Sequence, residues 1–178
     1  MSTKEFKLSE LFNIQTSKSL NKGDVNLINK GQYNFIGRTT SNRGIQGKTN
    51  NLCYPPNPQN SFSFVQVGIS HLSFQEKPWY SSQNIFVLTP RFKEIVKCFL
   101  FFEVVINKQL TKFENAYIYP KLNDVQNMII SLPILSDGTP DYQFMENYIR
   151  AIEKKVIQRY DRDKLLEIQT AKQVVNTV

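Results

Sequence analysis

At 178 residues the chain has room for one domain and an appendage, and too little for two domains of ordinary size. Its 40% hydrophobic content supplies a core and excludes a disordered polymer, while no apolar run approaches the roughly 18 residues that span a bilayer. The 22 Lys and Arg against 15 Asp and Glu leave a net charge of +7, which favours a polyanionic partner, and two cysteines do not make a disulfide framework.

Residues 1–7 have mixed charge and no apolar segment of a secretory signal, which predicts an intracellular, cytoplasmic protein. Apolar side chains at 8, 11, 12 and 14 fit either a short strand or a helical turn. Tyr33-Asn34-Phe35-Ile36-Gly37 is aromatic and β-branched and predicts a strand. Residues 38–51 form the most polar stretch, with three basic side chains and no acid, and read as a strand-end loop. Within it Arg38, Arg43 and Gln46 carry the forks and amides that read base edges, and Thr39, Asn42 and Lys48 can reach bases or phosphates. The same Ser, Thr, Asn and Gly content describes an ordinary surface turn, and composition does not choose between the two. Gly44-Ile45-Gln46-Gly47-Lys48-Thr49 imitates the end of a phosphate-binding loop, but its glycines stand too close together and no amphipathic helix follows.

Tyr54-Pro55-Pro56-Asn57-Pro58-Gln59-Asn60 is too rich in proline for anything but an extended turn. Residues 61–68 alternate and predict a half-buried strand, with further strands at 69–72 and 84–88. Between those two lies an expected loop, residues 74–82, whose Gln75 and Lys77 offer a second contact surface. Its Trp79 is expected to anchor the loop on the core rather than to stack on a base. His71 is the only histidine and reads as a strand or turn residue, so a His-based nucleophile pair or a His/Cys zinc site has little to work with. Residues 93–106 predict one buried helix, the run 115–122 precedes a helix or turn, and residues 128–134 read as an edge strand ended by proline. The carboxylates are scattered beside Lys and Arg, so no catalytic residue and no metal ligand is assigned.

Ser136-Asp137-Gly138-Thr139-Pro140-Asp141 is the clearest boundary, followed by a stretch without Gly or Pro. It divides the chain into residues 1–138, a compact domain, and residues 139–178, a helix. Met145, Ile149, Ile152, Val156 and Tyr160 recur at helical spacing and define one apolar stripe. A helix over 141–170 is about 45 Å long, more than a small domain is wide, so part of it projects. The stripe then needs cover from a second copy or another protein, unless the helix folds back on its own domain. The predicted class is α/β mixed (α+β): a twisted mixed or antiparallel sheet with short helices, and a long C-terminal helix.

Several of these stretches together resemble the target recognition domain of restriction-modification DNA specificity subunits, of the type I, IIB and IIG systems. The resemblance spans nearly the whole chain. It rests on Phe6-Lys7-Leu8-Ser9-Glu10-Leu11-Phe12-Asn13-Ile14, on Tyr33-Asn34-Phe35-Ile36-Gly37-Arg38-Thr39 with Asn42-Arg43-Gly44-Ile45-Gln46-Gly47, and on Phe74-Gln75-Glu76 with Trp79 and residues 84–88. It continues through Ile130-Ser131-Leu132-Pro133-Ile134 and Gly138-Thr139-Pro140-Asp141 to Met145-Glu146-Asn147-Tyr148-Ile149. Full subunits of that family carry two recognition domains and two long helices, and this chain has room for one of each, in the manner of a half-subunit.

The resemblance implies a non-catalytic reader of double-stranded DNA, entering a groove with residues 38–49 and 74–81. Its contact set is Arg38, Thr39, Asn42, Arg43, Gln46, Lys48, Gln75 and Lys77. It further implies a homodimer through the C-terminal helix, a methyltransferase partner subunit, and a nuclease subunit as an optional further partner. No cofactor is expected in this chain; S-adenosylmethionine is expected in the methyltransferase. Two rival readings stand beside it: a small Mg-dependent DNA-acting enzyme built on scattered carboxylates, and a protein-interaction module that does not bind DNA.

Overall fold

The computed structural model describes residues 2–115 and 119–175, without the side chains of 114, 115 and 168–175. Residues 116–118 of the run 115–122 and residues 176–178 of the predicted tail lie outside the described residues. The ambiguous opening is both things at once: strand β1 (Thr3–Lys7), one helical turn α1 (Leu8–Leu11) and strand β2 (Phe12–Thr16). Leu8 and Leu11 bury one face of that turn, and the Glu10 carboxylate accepts the Lys7 N–H at 2.6 Å, satisfying a donor at the turn's start. Strands β3 (Tyr33–Ile36), β4 (Ile45–Thr49), β5 (Ser61–Val65), β6 (His71–Gln75), β7 (Trp79–Ser81) and β8 (Ile85–Pro90) follow. Helices α2 (Glu94–Lys97), α3 (Phe99–Asn115) and α4 (Leu122–Asn127), strand β9 (Ile129–Pro133) and helix α5 (Tyr142–Val175) complete the chain.

The class is the mixed α/β one expected, with the strands divided among three small sheets. β1 and β9 pair antiparallel, β2-β8-β5-β6 form an antiparallel sheet of four, and β4-β3-β7 form a mixed sheet in which β3 and β7 run parallel. Residues 38–51 are therefore not all loop. A turn over Ser41–Gly44 reverses the chain, and β4 then pairs back on β3. Its polar composition concealed a strand because β4 forms the edge of its sheet, where one side faces water. Likewise residues 74–82 contain the end of β6 and all of β7, leaving only a short connection exposed around Glu76 and Lys77.

β5 was expected to be half buried and is buried on both faces, serines included. Phe62 and Phe64 join the main core with Phe12, Phe86 and Phe102, and the Phe12 ring meets Phe62 and Phe102 edge-on at 5.6 and 5.7 Å. On the other face Ser61 Oγ accepts the Trp79 indole N–H at 2.9 Å, and Trp79 packs with Ile36, Val65, Ile85 and Val87. Trp79 is thus the anchor predicted. His71 opens β6 with Nδ1 2.9 Å from the Ile69 carbonyl. The helix predicted over 93–106 is two helices broken at Cys98, whose backbone leaves the helical region, and the second runs on past Ile106 to Asn115.

Asp141 starts α5 by accepting the Phe144 N–H at 2.9 Å, a side-chain cap at the boundary expected there. At 34 residues α5 extends about 50 Å. Met145 was expected on a partner-facing stripe; it is instead completely buried in the main core of its own domain, because α2 and α3 pack against α5. From residue 151 to 167 every side chain is exposed, so the helix does project. Among the described residues no helix is long and apolar enough to cross a membrane.

Candidate nucleic-acid interface

The turn between β3 and β4 is the most strained backbone of the domain. Asn42 and Arg43 both adopt left-handed conformations, φ 48° and 53°, before Gly44 at φ 81°. Left-handed non-glycine residues cost about 1 kcal/mol each, so surrounding contacts must hold the pair. The Gly37 N–H donates to the Gly44 carbonyl at 2.8 Å, closing the turn at its base. The Gln75 side-chain amide donates to the Arg43 carbonyl at 2.9 Å and to Ser63 Oγ at 3.0 Å, tying the turn to the neighbouring sheet.

The Arg43 guanidinium is fixed as firmly as its backbone. Nη1 donates to Glu103 Oε1 at 3.0 Å and to the Phe74 carbonyl at 3.4 Å, and the guanidinium carbon lies 5.2 Å from the centre of the Phe99 ring. Phe99 in turn stacks on Phe74 at 4.5 Å. Glu103 Oε1 also accepts the Phe74 N–H at 2.5 Å. Burial pushes the Glu103 carboxyl above its ordinary range, against the opposing pull of the Phe74 N–H and of Arg43.

These contacts line a groove of about 520 Å³ whose wall holds Arg43, Lys48, Gln75 and Lys77. Four of the eight predicted contact residues, drawn from segments some thirty positions apart, are thereby brought to one surface. Three are cations, with Glu76 beside them. Gln75 differs from the others: its side chain is buried and both bonds of its amide nitrogen are made inside the protein. Arg38 and Gln46 lie apart, lining a smaller recess of about 230 Å³ with Lys22, Ser82 and Gln83. Gln46 thus lines a different recess from its neighbour Ile45, which lines the larger groove together with Lys48. Thr39 Oγ1 accepts the Ser41 N–H at 3.3 Å, and Asn42 is exposed on the turn.

Sequence reasoning missed Phe99 and Glu103. They stand four apart on α3, on one helix face, and a lone carboxylate within the run Phe99-Leu100-Phe101-Phe102-Glu103-Val104-Val105-Ile106 was the available signal of a buried ion pair. The Arg43 partner of Glu103 is 60 positions away in the chain.

Comparison with known proteins bears on the fold and the family of the chain. Over 166 residues the chain is 31% identical to "Type II restriction enzyme BgcI specificity subunit S.BcgI" of Heyndrickxia coagulans, covering 89% of this chain and 46% of that one. Its fold is similar to the type I restriction-modification S subunit of M. genitalium, with a TM-score of 0.63, 16% identity, and coverage of 90% and 41% of the two chains. It is equally similar to the HsdS subunit of Thermoanaerobacter tengcongensis, with a TM-score of 0.63, 14% identity, and coverage of 88% and 38%. The chain thus spans less than half the length of these relatives. Residues 2–159 match the family described as the type I restriction modification DNA specificity domain, and the chain belongs to that family.

Proposed function

We propose that this chain reads the base sequence of double-stranded DNA for a restriction-modification complex and performs no chemistry itself. The observation that carries the reading is the cationic groove of Arg43, Lys48 and Lys77, assembled from two separate segments on a chain of the specificity family. Arg43 supplies the base-reading fork, and Lys48 and Lys77, both exposed, take phosphates. Arg38 and Gln46 add contacts from the separate smaller recess, and Thr39 and Asn42 add contacts from the turn. Gln75 leaves the contact set, since its amide holds Arg43 rather than facing outward. In this reading the recognition unit runs to about residue 150, past the boundary at 138, because the first turns of α5 belong to its core.

A methyltransferase subunit carrying S-adenosylmethionine is the acting partner, with a nuclease subunit as a further one, and the complex works in the cytoplasm. The exposed stripe of Ile152, Val156 and Tyr160 pairs with a second copy, and two identical readers related by two-fold symmetry then see identical half-sites. Co-expressing the chain with a methyltransferase subunit and mapping methylated positions in host DNA tests the whole reading. A repeated sequence motif is expected; turnover of DNA by the isolated chain with Mg²⁺ contradicts it. Lys48→Ala and Lys77→Ala are each expected to weaken DNA binding evenly over sequences and to lower the slope of log affinity against log salt by about 1.

A further inference from the structure

Arg43 is held at both ends by groups that no turn requires. Its carbonyl is held by Gln75, and its guanidinium is held by Glu103 from the side and by Phe99 from beneath. The two bonds of Nη1 use both of that nitrogen's protons, on Glu103 and on the Phe74 carbonyl. Nε and Nη2 carry no hydrogen bond among the described residues. Together they form one edge of the guanidinium, a two-donor fork of the kind that matches the paired acceptors on the major-groove edge of guanine. The side chain remains 44% exposed while Glu103 is 15% exposed, so the acid is the recessed member of the pair, and Arg43, not Glu103, lines the groove.

An arginine free to rotate loses much side-chain entropy when it docks on a base, and a pre-ordered one loses less. A surface ion pair would not order it well, because exposed pairs contribute little. Here the acid is largely buried, is itself pinned by the Phe74 N–H, and is supplemented by a flat aromatic surface. Glu103 and Phe99 sit on rigid helix α3, so they hold the turn's arginine from a different element altogether.

We propose that Glu103 is a positioning residue for DNA reading: together with Phe99 it orders the Arg43 guanidinium so that the Nε–Nη2 edge selects one base of the target. The inference rests on the DNA-reading function proposed above. It assigns specificity at one base position to a carboxylate that does not itself touch the DNA.

The test uses the full chain with its methyltransferase partner and a randomised duplex library, from which bound molecules are sequenced. Wild type, Arg43→Lys, Glu103→Gln, Phe99→Leu and the double variant Arg43→Lys/Glu103→Gln are compared position by position. Glu103→Gln keeps an oxygen to accept the Phe74 N–H and so preserves the fold, as a thermal melt checks, while it removes the negative charge that holds the Arg43 guanidinium. Arg43→Lys removes the fork and is expected to relax preference at one base position by about tenfold. Glu103→Gln and Phe99→Leu are expected to relax the same position by several-fold and no other. The double variant is expected to match Arg43→Lys alone, because an effect that acts only through the fork disappears with it. Non-specific affinity of Glu103→Gln is expected to hold or rise, since a negative charge near the phosphates is lost.

If Glu103→Gln and Phe99→Leu leave every position unchanged while wild type still selects a motif, the positioning role is overturned and DNA reading stands. Affinity that falls evenly at all positions, with a lowered melting temperature, makes the role of Glu103 purely structural and also overturns it. Should wild type select no motif, both this inference and the function it rests on fail.

Discussion

The two parts of helix α5 carry one apolar stripe and meet opposite fates. Near its start Tyr142, Phe144 and Met145 pack on the core, and Met145 is completely buried there. Further on Ile152, Val156 and Tyr160 continue the same spacing into solvent, with Val156 and Tyr160 about three-fifths exposed. The contrast teaches that helical periodicity tells which face is apolar but not what covers it. Cover depends on where the rest of the chain stops, and here the domain ends after about three turns of a helix that runs on for some 25 more residues.

Substitutions at the two ends should separate these fates. Met145→Ala is expected to destabilise the fold by about 2–5 kcal/mol, the range for emptying a fully buried site, as read by chemical denaturation. Val156→Ala should change the stability of the monomer by no more than about 0.5 kcal/mol, as befits an exposed position. If the two variants cost the same, the contrast between docked and projecting turns is wrong.

A smaller effect sharpens the projecting end. Val156→Glu places a charge at the centre of the exposed stripe and is expected to convert a dimer to a monomer in size-exclusion chromatography with light scattering, without altering the melting of the domain. An unchanged mass would show that this stripe is not where copies pair.

A further effect belongs to the docked end and depends on pH. Burial pushes the Cys98 thiol up to about 12, with Glu146 adding to the shift, and burial likewise pushes the Tyr142 hydroxyl up to about 12. Both groups therefore keep their protons in the folded chain after the unfolded chain has begun to lose them, from the ordinary values of 9.0 and 10.0 upward. In that window the native state binds more protons, so stability falls as pH rises from about 9 towards 12. Denaturant midpoints are expected to decline across that range, and less steeply in Cys98→Ala. At pH 8 a thiol reagent should modify exposed Cys53 at once and Cys98 only on unfolding.

The cationic turn shows the same limit from another direction. Its cationic and amide-rich character was legible, and so was the strand before it, because Arg, Lys and amides carry their donors wherever they stand. Which of them face outward was not. Gln75 and Arg43 looked alike as contact candidates, yet one amide is used up inside the protein while the arginine keeps an open edge. That distinction arises from the pairing of β5 with β6 and from the packing of α3 on β6, contacts between segments far apart in the chain.

The amino-acid sequence by itself determined the mixed class, the strand-rich first part, the turn at 136–141 and the long helix after it. Each of these follows from local preference: apolar period, β-branched and aromatic runs, and a capping aspartate. Tertiary structure alone decided that the strands divide into three sheets, that Met145 belongs to the domain's own core, and that Glu103 reaches Arg43 across 60 residues. Those outcomes turn on which distant surfaces meet and exclude water together, and a one-dimensional pattern holds no record of which surfaces those are.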